Sequence, residues 1–240
     1  LRINLFKDKE LDSLRESIFW ELRRSPLAFG GFSEESRENK VIQLQCAQKV
    51  GLAIPETVIT TSKSELKAFI SEHQDCIIKP ITNQTYFTDP SGLVWHSKGT
   101  QKLDLRDLDR ISGERLFPVL AQKEVRKKYE VRTFFFRKKI WSMAIMSQSN
   151  PETALDFRNY DYNKPNRTVP YELDDVVVDQ VLSMCKLLDL STGSIDFIID
   201  SNSEVVFLEI NPSGQFSMVS RPCNYYIERF IAKEFCNYDK

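Results

Sequence analysis

A mixed α+β fold is what this chain of 240 residues predicts. Helical periodicity marks both ends and several points between, with apolar residues three and four apart. Apolar runs broken by short polar turns recur at 130–148 and 196–211, and such pairs read as antiparallel hairpins. Helices and hairpins are interspersed without internal repeats or low-complexity tracts.

Residues 7–25 carry Leu11, Leu14, Ile18, Phe19 and Leu22 at helical spacing with charges between them, an amphipathic helix ended by Pro26 and the Gly30-Gly31 pair. A second helix over 39–50 buries Val41, Leu44, Cys46 and Ala47 in part, and Gly51 suits its C-terminal cap. An extended stretch, 57–60, follows Pro55. Ser62 with Glu65 three residues on predicts a capping box that opens a helix to about residue 72. Residues 75–79 form a buried strand stopped by Pro80. Two short strands flank Pro90-Ser91-Gly92, and 116–125 is a strand made irregular at its start by Pro118. A long hairpin turns at Arg137-Lys138-Lys139. Residues 149–170 then show prolines and polar groups with no apolar periodicity, and a loop of that length is functional or mobile. A helix capped by Asp174 or Asp175 runs to about 188, a hairpin spans 196–211, and an amphipathic helix over 224–235 closes the chain.

The 41% hydrophobic and 28% charged composition is that of a globular protein large enough for one domain or two small interlocked ones. A formal net charge of −1 gives no broad attraction to nucleic acid or anionic membrane. No apolar run is long enough to span a bilayer, and no signal peptide opens the chain. The five cysteines are scattered without metal or disulfide spacing, so reduced thiols and a cytoplasmic location are expected. His73 and His96 are too few and too far apart for a zinc site. The chain opens on Leu1 rather than Met, which suggests a natural start further upstream.

The second hairpin carries the most chemistry. Asp196 lies on one strand; Glu209 and Asn211 lie two apart on the next and so share a face. Pairing that brings Asp196 to that face gathers two carboxylates and an amide oxygen, a hard-oxygen set suited to Mg²⁺ with positions left for phosphate. An ordinary polar surface hairpin is the competing reading. With only 8 glycines and no phosphate-binding glycine motif, cations and metal would have to hold any phosphate. Lys79 ends an apolar strand, where it either meets an anion or snorkels to water. Lys40 opens a helix against the sense of the dipole, as a functional cation or a solvated one. Arg132 shares a strand face with Glu130, opposite Val131, which fits a polar cleft face or a surface ion pair. In the long loop, Arg158 offers a planar fork for carboxylate or phosphate beside Phe157 and Asp156.

Taken together, these residues resemble the ATP-grasp superfamily from about residue 39 to the C-terminus: a lysine before a proline at a strand end, the linker strand Ala121-Gln122-Lys123-Glu124-Val125, and a distal Asp…Glu-x-Asn triad. Asn39-Lys40 with Gln43-Leu44, Glu130-Val131-Arg132, Asp156-Phe157-Arg158, Pro165-Asn166-Arg167, and 208–216 with 223–225 resemble more closely the graspetide or microviridin-type ligases, the grasp-with-spasm branch in particular.

The resemblance implies an ATP-grasp fold in which two α+β subdomains clamp ATP. It divides the chain into a helical remnant of an N-terminal subdomain (1–38), a central subdomain (39–123) and a C-terminal subdomain (124–240), with the N-terminal subdomain truncated or mostly absent. Lys40 and Lys79 would hold phosphates, and Gln122, Lys123, Glu124 and Val125 would lie along the adenine, largely through backbone groups. Glu130 and Leu208 would also border the nucleotide. Asp196, Glu209 and Asn211 would ligate Mg²⁺, Arg132 would stabilise the transferred phosphoryl group, and Asp156 and Arg158 would address the peptide, Asp156 being the candidate base. The family commonly has an acid where Lys123 stands, which shifts ribose recognition to Glu124 or removes it. The implied activity is ATP-dependent, ADP-forming cross-linking of a precursor peptide (leader plus core) by ester or amide bonds between side chains, with a homodimer as the expected assembly. Another ATP-grasp carboxylate–amine ligase, a small-molecule kinase on the same fold, or a peptide-binding module with a decayed site are the alternatives.

Overall fold

The computed structural model describes residues 2–25, 28, 30, 38–81, 86–88, 91, 93–96, 99–149, 163 and 165–236. In chain order the helices are α1 (Arg2–Arg23), α2 (Lys40–Lys49), α3 (Lys63–His73), α4 (Leu105–Asp109), α5 (Asp175–Leu187), α6 (Ser217–Cys223) and α7 (Ile227–Cys236). The strands are β1 (Thr57–Ser62), β2 (Cys76–Lys79), β3 (Tyr86–Thr88), β4 (Val94–His96), β5 (Gln101–Leu103), β6 (Arg115–Lys123), β7 (Lys127–Phe136), β8 (Lys139–Met146), β9 (Arg167–Tyr171), β10 (Thr192–Asp200) and β11 (Val205–Asn211). They form a four-stranded sheet ordered β1-β6-β2-β5, a five-stranded sheet ordered β11-β10-β7-β8-β9, and the β3-β4 hairpin. Every pairing within them is antiparallel, which bears out the α+β class.

The larger sheet has two differently covered faces. Odd-numbered residues of β7 join Phe197, Phe207 and Ile199 beneath α2 and α5, where Leu44, Ala47, Val181 and Met184 complete the main core. On the even face, Phe134 and Phe136 lie under Val219, Cys223 and Ile227 of α6 and α7. Further along that same face, alternation puts Glu130 and Arg132, where it turns polar. The smaller sheet packs Ala121, Cys76 and Leu103 against Leu66 and Ile70 of α3 and Leu108 of α4. Helix α2 follows the N-terminal segment in the chain, yet it packs on β11 and α5 of the larger sheet.

Several local expectations need correction. Ser62 Oγ accepts the Glu65 N–H at 3.2 Å, but the Glu65 carboxylate bonds the Thr60 hydroxyl, so only half the capping box forms. The amide N–H of Ser62 donates instead to Thr60 Oγ1 at 2.9 Å. The end of the long polar loop is strand β9, containing Pro170. An edge strand tolerates proline because one side of its backbone has no ladder to complete, and among the described residues β9 pairs only with β8. Strand β5 and helices α4 and α6 were not expected. Helix α4 is five residues long and is set by Asp104, which accepts from the amides of Arg106 and Asp107 while the Asp107 side chain accepts from Asp104 N–H. Helix α1 forms, but its apolar stripe is not covered: Leu11, Leu14, Ile18 and Leu22 are each more than half exposed.

All five cysteines are free, and Cys76, Cys185 and Cys223 are buried. Burial pushes the Cys185 thiol up to about 12. Among the described residues no helix is long and apolar enough to cross a membrane.

Candidate active site

Register assembles the site. Asp196 on β10 is opposite Glu209 on β11 and opposite Arg132 on β7, so three charged side chains stand in one row across three adjacent strands. Two residues along β11, Asn211 pairs with Ser194 and extends that face. Between Asp196 and Phe197 the β10–β11 register shifts: Asp196 faces Glu209 and Phe197 faces Phe207, leaving Leu208 as an extra residue on β11. Such a bulge re-aims side chains. Here it lets consecutive residues, Leu208 and Glu209, both line the cleft while Phe207 and Ile210 remain in the core.

Beyond Asn211 the chain folds back on itself. Asn211 Oδ1 accepts the Ser213 N–H at 2.9 Å, and the Gly214 N–H donates to the Asn211 carbonyl at 3.1 Å. A Cβ on Gly214 would lie 2.3 Å from Ser194 Oγ, so only glycine permits this approach.

The row is buried and charge-balanced. Arg132 Nη1 donates to Asp196 Oδ1 at 2.7 Å and Oδ2 at 2.6 Å, with both residues under a tenth exposed. The surface ion pair read as an alternative for Arg132 is therefore replaced by a buried one. Lys40, at the first position of α2, is 7% exposed and places Nζ 3.5 Å from Glu209 Oε2, which removes the solvated-lysine reading. A residue further from the row, Glu130, is also buried, paired with Lys127 and accepting from Ser147 Oγ at 3.1 Å. Desolvation pushes its carboxyl up to about 6, against the opposing pull of Lys127.

Two adjoining cavities meet at this row. The larger, about 250 Å³, is bordered by Lys79, by Gln122, Lys123, Glu124 and Val125 at the end of β6, and by Glu130, Asp196, Leu208 and Glu209. The smaller, about 90 Å³, is bordered by Lys40, Gln43, Arg132, Asp196, Glu209 and Asn211. Asp196 and Glu209 belong to both. The structure thus gathers Lys40, Lys79, Arg132, Glu130, Leu208, the 122–125 segment and the three oxygen-bearing residues around one cleft; Asp156 and Arg158 lie outside the described residues.

The 122–125 segment has mixed capacity for a ligand. Gln122 is 1% exposed, its Nε2 donates to Thr57 Oγ1 at 3.0 Å, and its Oε1 is buried without a partner among the described residues. A donor such as an exocyclic amine would satisfy that acceptor. The amides of Lys123 and Glu124, however, already donate to the carbonyls of Glu56 and Asp75 at 2.9 and 2.8 Å, so those two cannot also serve a base. Lys123 pairs with Glu56 at 2.8 Å on the surface, and Lys102 Nζ lies 3.0 Å from Glu124 Oε2.

Two carboxylates and one amide oxygen suit a divalent cation that keeps further positions for water and phosphate. Among the described residues no group of three or more His, Cys, Asp or Glu is placed to hold a metal ion. Sequence reasoning assigned no role to Lys127 or Gln43. A polar residue three positions after Lys40 on a helix that otherwise buries Leu44 and Ala47 was the available signal for Gln43; Lys127, beside Lys128, carries no sequence signal that sets it apart.

No protein-family model and no curated protein sequence matches this chain. Solved structures do. The chain is similar to a RiPP-associated ATP-grasp ligase of Chryseobacterium gregarium, solved with ADP and a leader and core peptide, with a TM-score of 0.80 and 27% identity over 97% of this chain and 70% of that one. It is similar to the macrocyclase MdnC of Microcystis aeruginosa MRC, solved with the precursor peptide MdnA, with a TM-score of 0.78 and 28% identity over 97% of this chain and 72% of that one. The ATP-grasp ligase PsnB, solved with a minimal precursor, shares the fold with a TM-score of 0.77 at 20% identity, over 100% of this chain and 74% of that one. By its fold the chain is an ATP-grasp ligase, and among such enzymes it is similar to two that were solved with peptides bound.

Proposed function

We propose that this ATP-dependent ligase activates Asp or Glu side chains of a ribosomally made precursor peptide as acyl phosphates, then joins them to Thr, Ser or Lys side chains of the same peptide as esters or amides. The observation that carries the reading is the buried row Glu209–Asp196–Arg132 at the junction of two cavities, with Lys40 and Lys79 at their walls.

A carboxylate is a poor acyl donor because oxide would have to leave; transfer of the terminal phosphoryl group of ATP supplies a good leaving group. In this reading Lys79 and Lys40 bind phosphate oxygens, and Arg132 holds the charge that builds on the phosphoryl group in flight. Asp196, Glu209 and Asn211 would hold Mg²⁺, which when bound neutralises phosphate charge and aligns the reacting oxygens. Arg132 and Lys40 are already engaged by Asp196 and Glu209, so the protein keeps both cations desolvated and aimed before phosphate arrives. Gln122 Oε1 and the walls at Val125 and Leu208 take the base, and Glu124 is the acid nearest to a ribose-binding role.

The substrate side falls to Asp156 and Arg158, with Arg158 gripping the donor carboxylate and Asp156 drawing the proton from the attacking hydroxyl or amine. Holding donor and acceptor of one peptide together makes the second step effectively unimolecular. The proposal includes a precursor with leader and core segments as partner and a homodimer as the working assembly. It also includes a division at residues 123/124, with α2 tying the central unit to the larger sheet.

The test is incubation of the protein with ATP, Mg²⁺ and the precursor encoded beside it, followed by intact mass. Loss of one water's mass per ring, dependent on ATP, is expected. A precursor of unchanged mass under conditions that consume ATP would contradict the ring-closing reading.

A further inference from the structure

Strand β11 is the outer strand of the larger sheet, and the residue between Glu209 and Asn211 on it is Ile210. At an outer strand the backbone groups that point away from the sheet have no ladder partner. Those of Ile210 are nevertheless paired, by a side chain. Gln43 Nε2 donates to the Ile210 carbonyl at 2.8 Å, and Gln43 Oε1 accepts the Ile210 N–H at 3.0 Å. Gln43 is 1% exposed, so both bonds are made away from water. A primary amide presents a donor and an acceptor side by side, as a neighbouring strand would, and it completes the ladder at this one residue.

The same amide is fixed to a second element. Gln43 lies three residues after Lys40, and that spacing puts both on one side of the first turn of α2. The two bonds to Ile210 therefore seat that turn on β11, and Lys40 Nζ ends 3.5 Å from Glu209. Ile210 itself is anchored in the main core, so the strand cannot slide to compensate. One side chain thus couples the spacing of Glu209 and Asn211 to the placement of the lysine.

We propose that Gln43 is a positioning residue for the cation site: it holds the backbone between Glu209 and Asn211 at the spacing a divalent ion requires, and ties Lys40 to the same frame. The proposal rests on the metal role given above to Asp196, Glu209 and Asn211. Residues that orient ligands from behind typically change metal affinity by about 10- to 100-fold when removed.

The experiment uses Mn²⁺ as the probe, an oxygen-ligated ion whose free and bound forms are resolved by electron paramagnetic resonance, titrated into the full chain with ADP present. Four variants are compared with the parent: Gln43→Ala, Gln43→Glu, Leu44→Ala and Glu209→Gln. Gln43→Glu keeps the size and an acceptor for the Ile210 N–H but loses the donor, so it serves where the alanine variant does not fold. Leu44 lies on the same helix, is buried in the main core, and makes neither of the two bonds, so Leu44→Ala loosens the packing of α2 while leaving the Gln43 amide in place. The expected result is a loss of Mn²⁺ affinity of about 10-fold or more in both Gln43 variants, near-parental affinity in Leu44→Ala, and a larger loss in Glu209→Gln. Parental Mn²⁺ affinity in a folded Gln43 variant, with loss in Glu209→Gln, overturns this inference and leaves the metal reading standing. An equal loss in Leu44→Ala and Gln43→Ala also overturns it, since helix docking in general would then be responsible. Parental affinity in Glu209→Gln removes the metal reading, and this inference with it.

Discussion

The two ends of the cleft treat charge in opposite ways. At the strand end, Arg132 and Lys40 are buried and meet Asp196 and Glu209, which are themselves largely shielded. At the other end, Lys123 meets Glu56 with roughly half of each side chain in water. Losing one member of a buried pair strands its partner and costs about 3–5 kcal/mol, whereas an exposed pair contributes about 0–1 kcal/mol. A protein gains little stability from assembling the buried set, so its presence marks where charge must be handled out of water. The exposed end needs shape and a few neutral acceptors, which Gln122 supplies.

The largest effect belongs to the buried row. Glu209→Gln is expected to abolish ring formation, because the proposed ion loses a charged ligand, and to lower the melting temperature, because Lys40 loses its carboxylate. Turnover at the parental rate in this variant would remove Glu209 from the chemistry and collapse the contrast between the two ends.

Arg158→Ala is expected to reduce product formation by about 100-fold, the scale of a lost transition-state contact, while ATP affinity stays near parental. Nucleotide affinity and product mass measured in parallel check this; equal losses in both would put Arg158 at the phosphates instead.

A smaller effect follows from Glu130, whose carboxyl is raised from 4.5 to about 6 by burial. The folded state then binds more protons than the unfolded one between those values, so stability should fall as pH rises from about 4.5 to about 6. The shift corresponds to about 2 kcal/mol. Denaturant unfolding across that range should show the slope in the parent and a flatter profile in Glu130→Gln; identical profiles would mean Glu130 ionises freely in the fold.

The smallest effect should come from Lys123→Ala, within about 1 kcal/mol in stability and with ATP affinity near parental. A large loss of nucleotide binding there would show that the exposed end contributes charge after all.

How much of this was legible in sequence divides along physical lines. The hairpins were, because apolar runs around polar turns leave little choice of pairing; the alternation along β11 then set Glu209 and Asn211 on one face. The bulge at Leu208 was not, since a single extra residue has no periodic signature. Nor were the ion pairs: Arg132 with Asp196 and Lys40 with Glu209 are 64 and 169 residues apart in sequence, and only the fold makes them neighbours. Strand β9 was hidden by Pro170 and its polar surroundings, and α4 by its length. Gln43 was visible as a polar residue on a burying helix, but its partner is backbone, which sequence does not display.

The central claim is that charge at the buried row serves attack at the terminal phosphate of ATP. The nucleotide product tests it most directly, followed by phosphorus NMR while rings form on the precursor. The account predicts ADP and inorganic phosphate, one of each per bond closed, with neither accumulating in Glu209→Gln. AMP and pyrophosphate would contradict it, because the carboxylate would then have been activated as an adenylate.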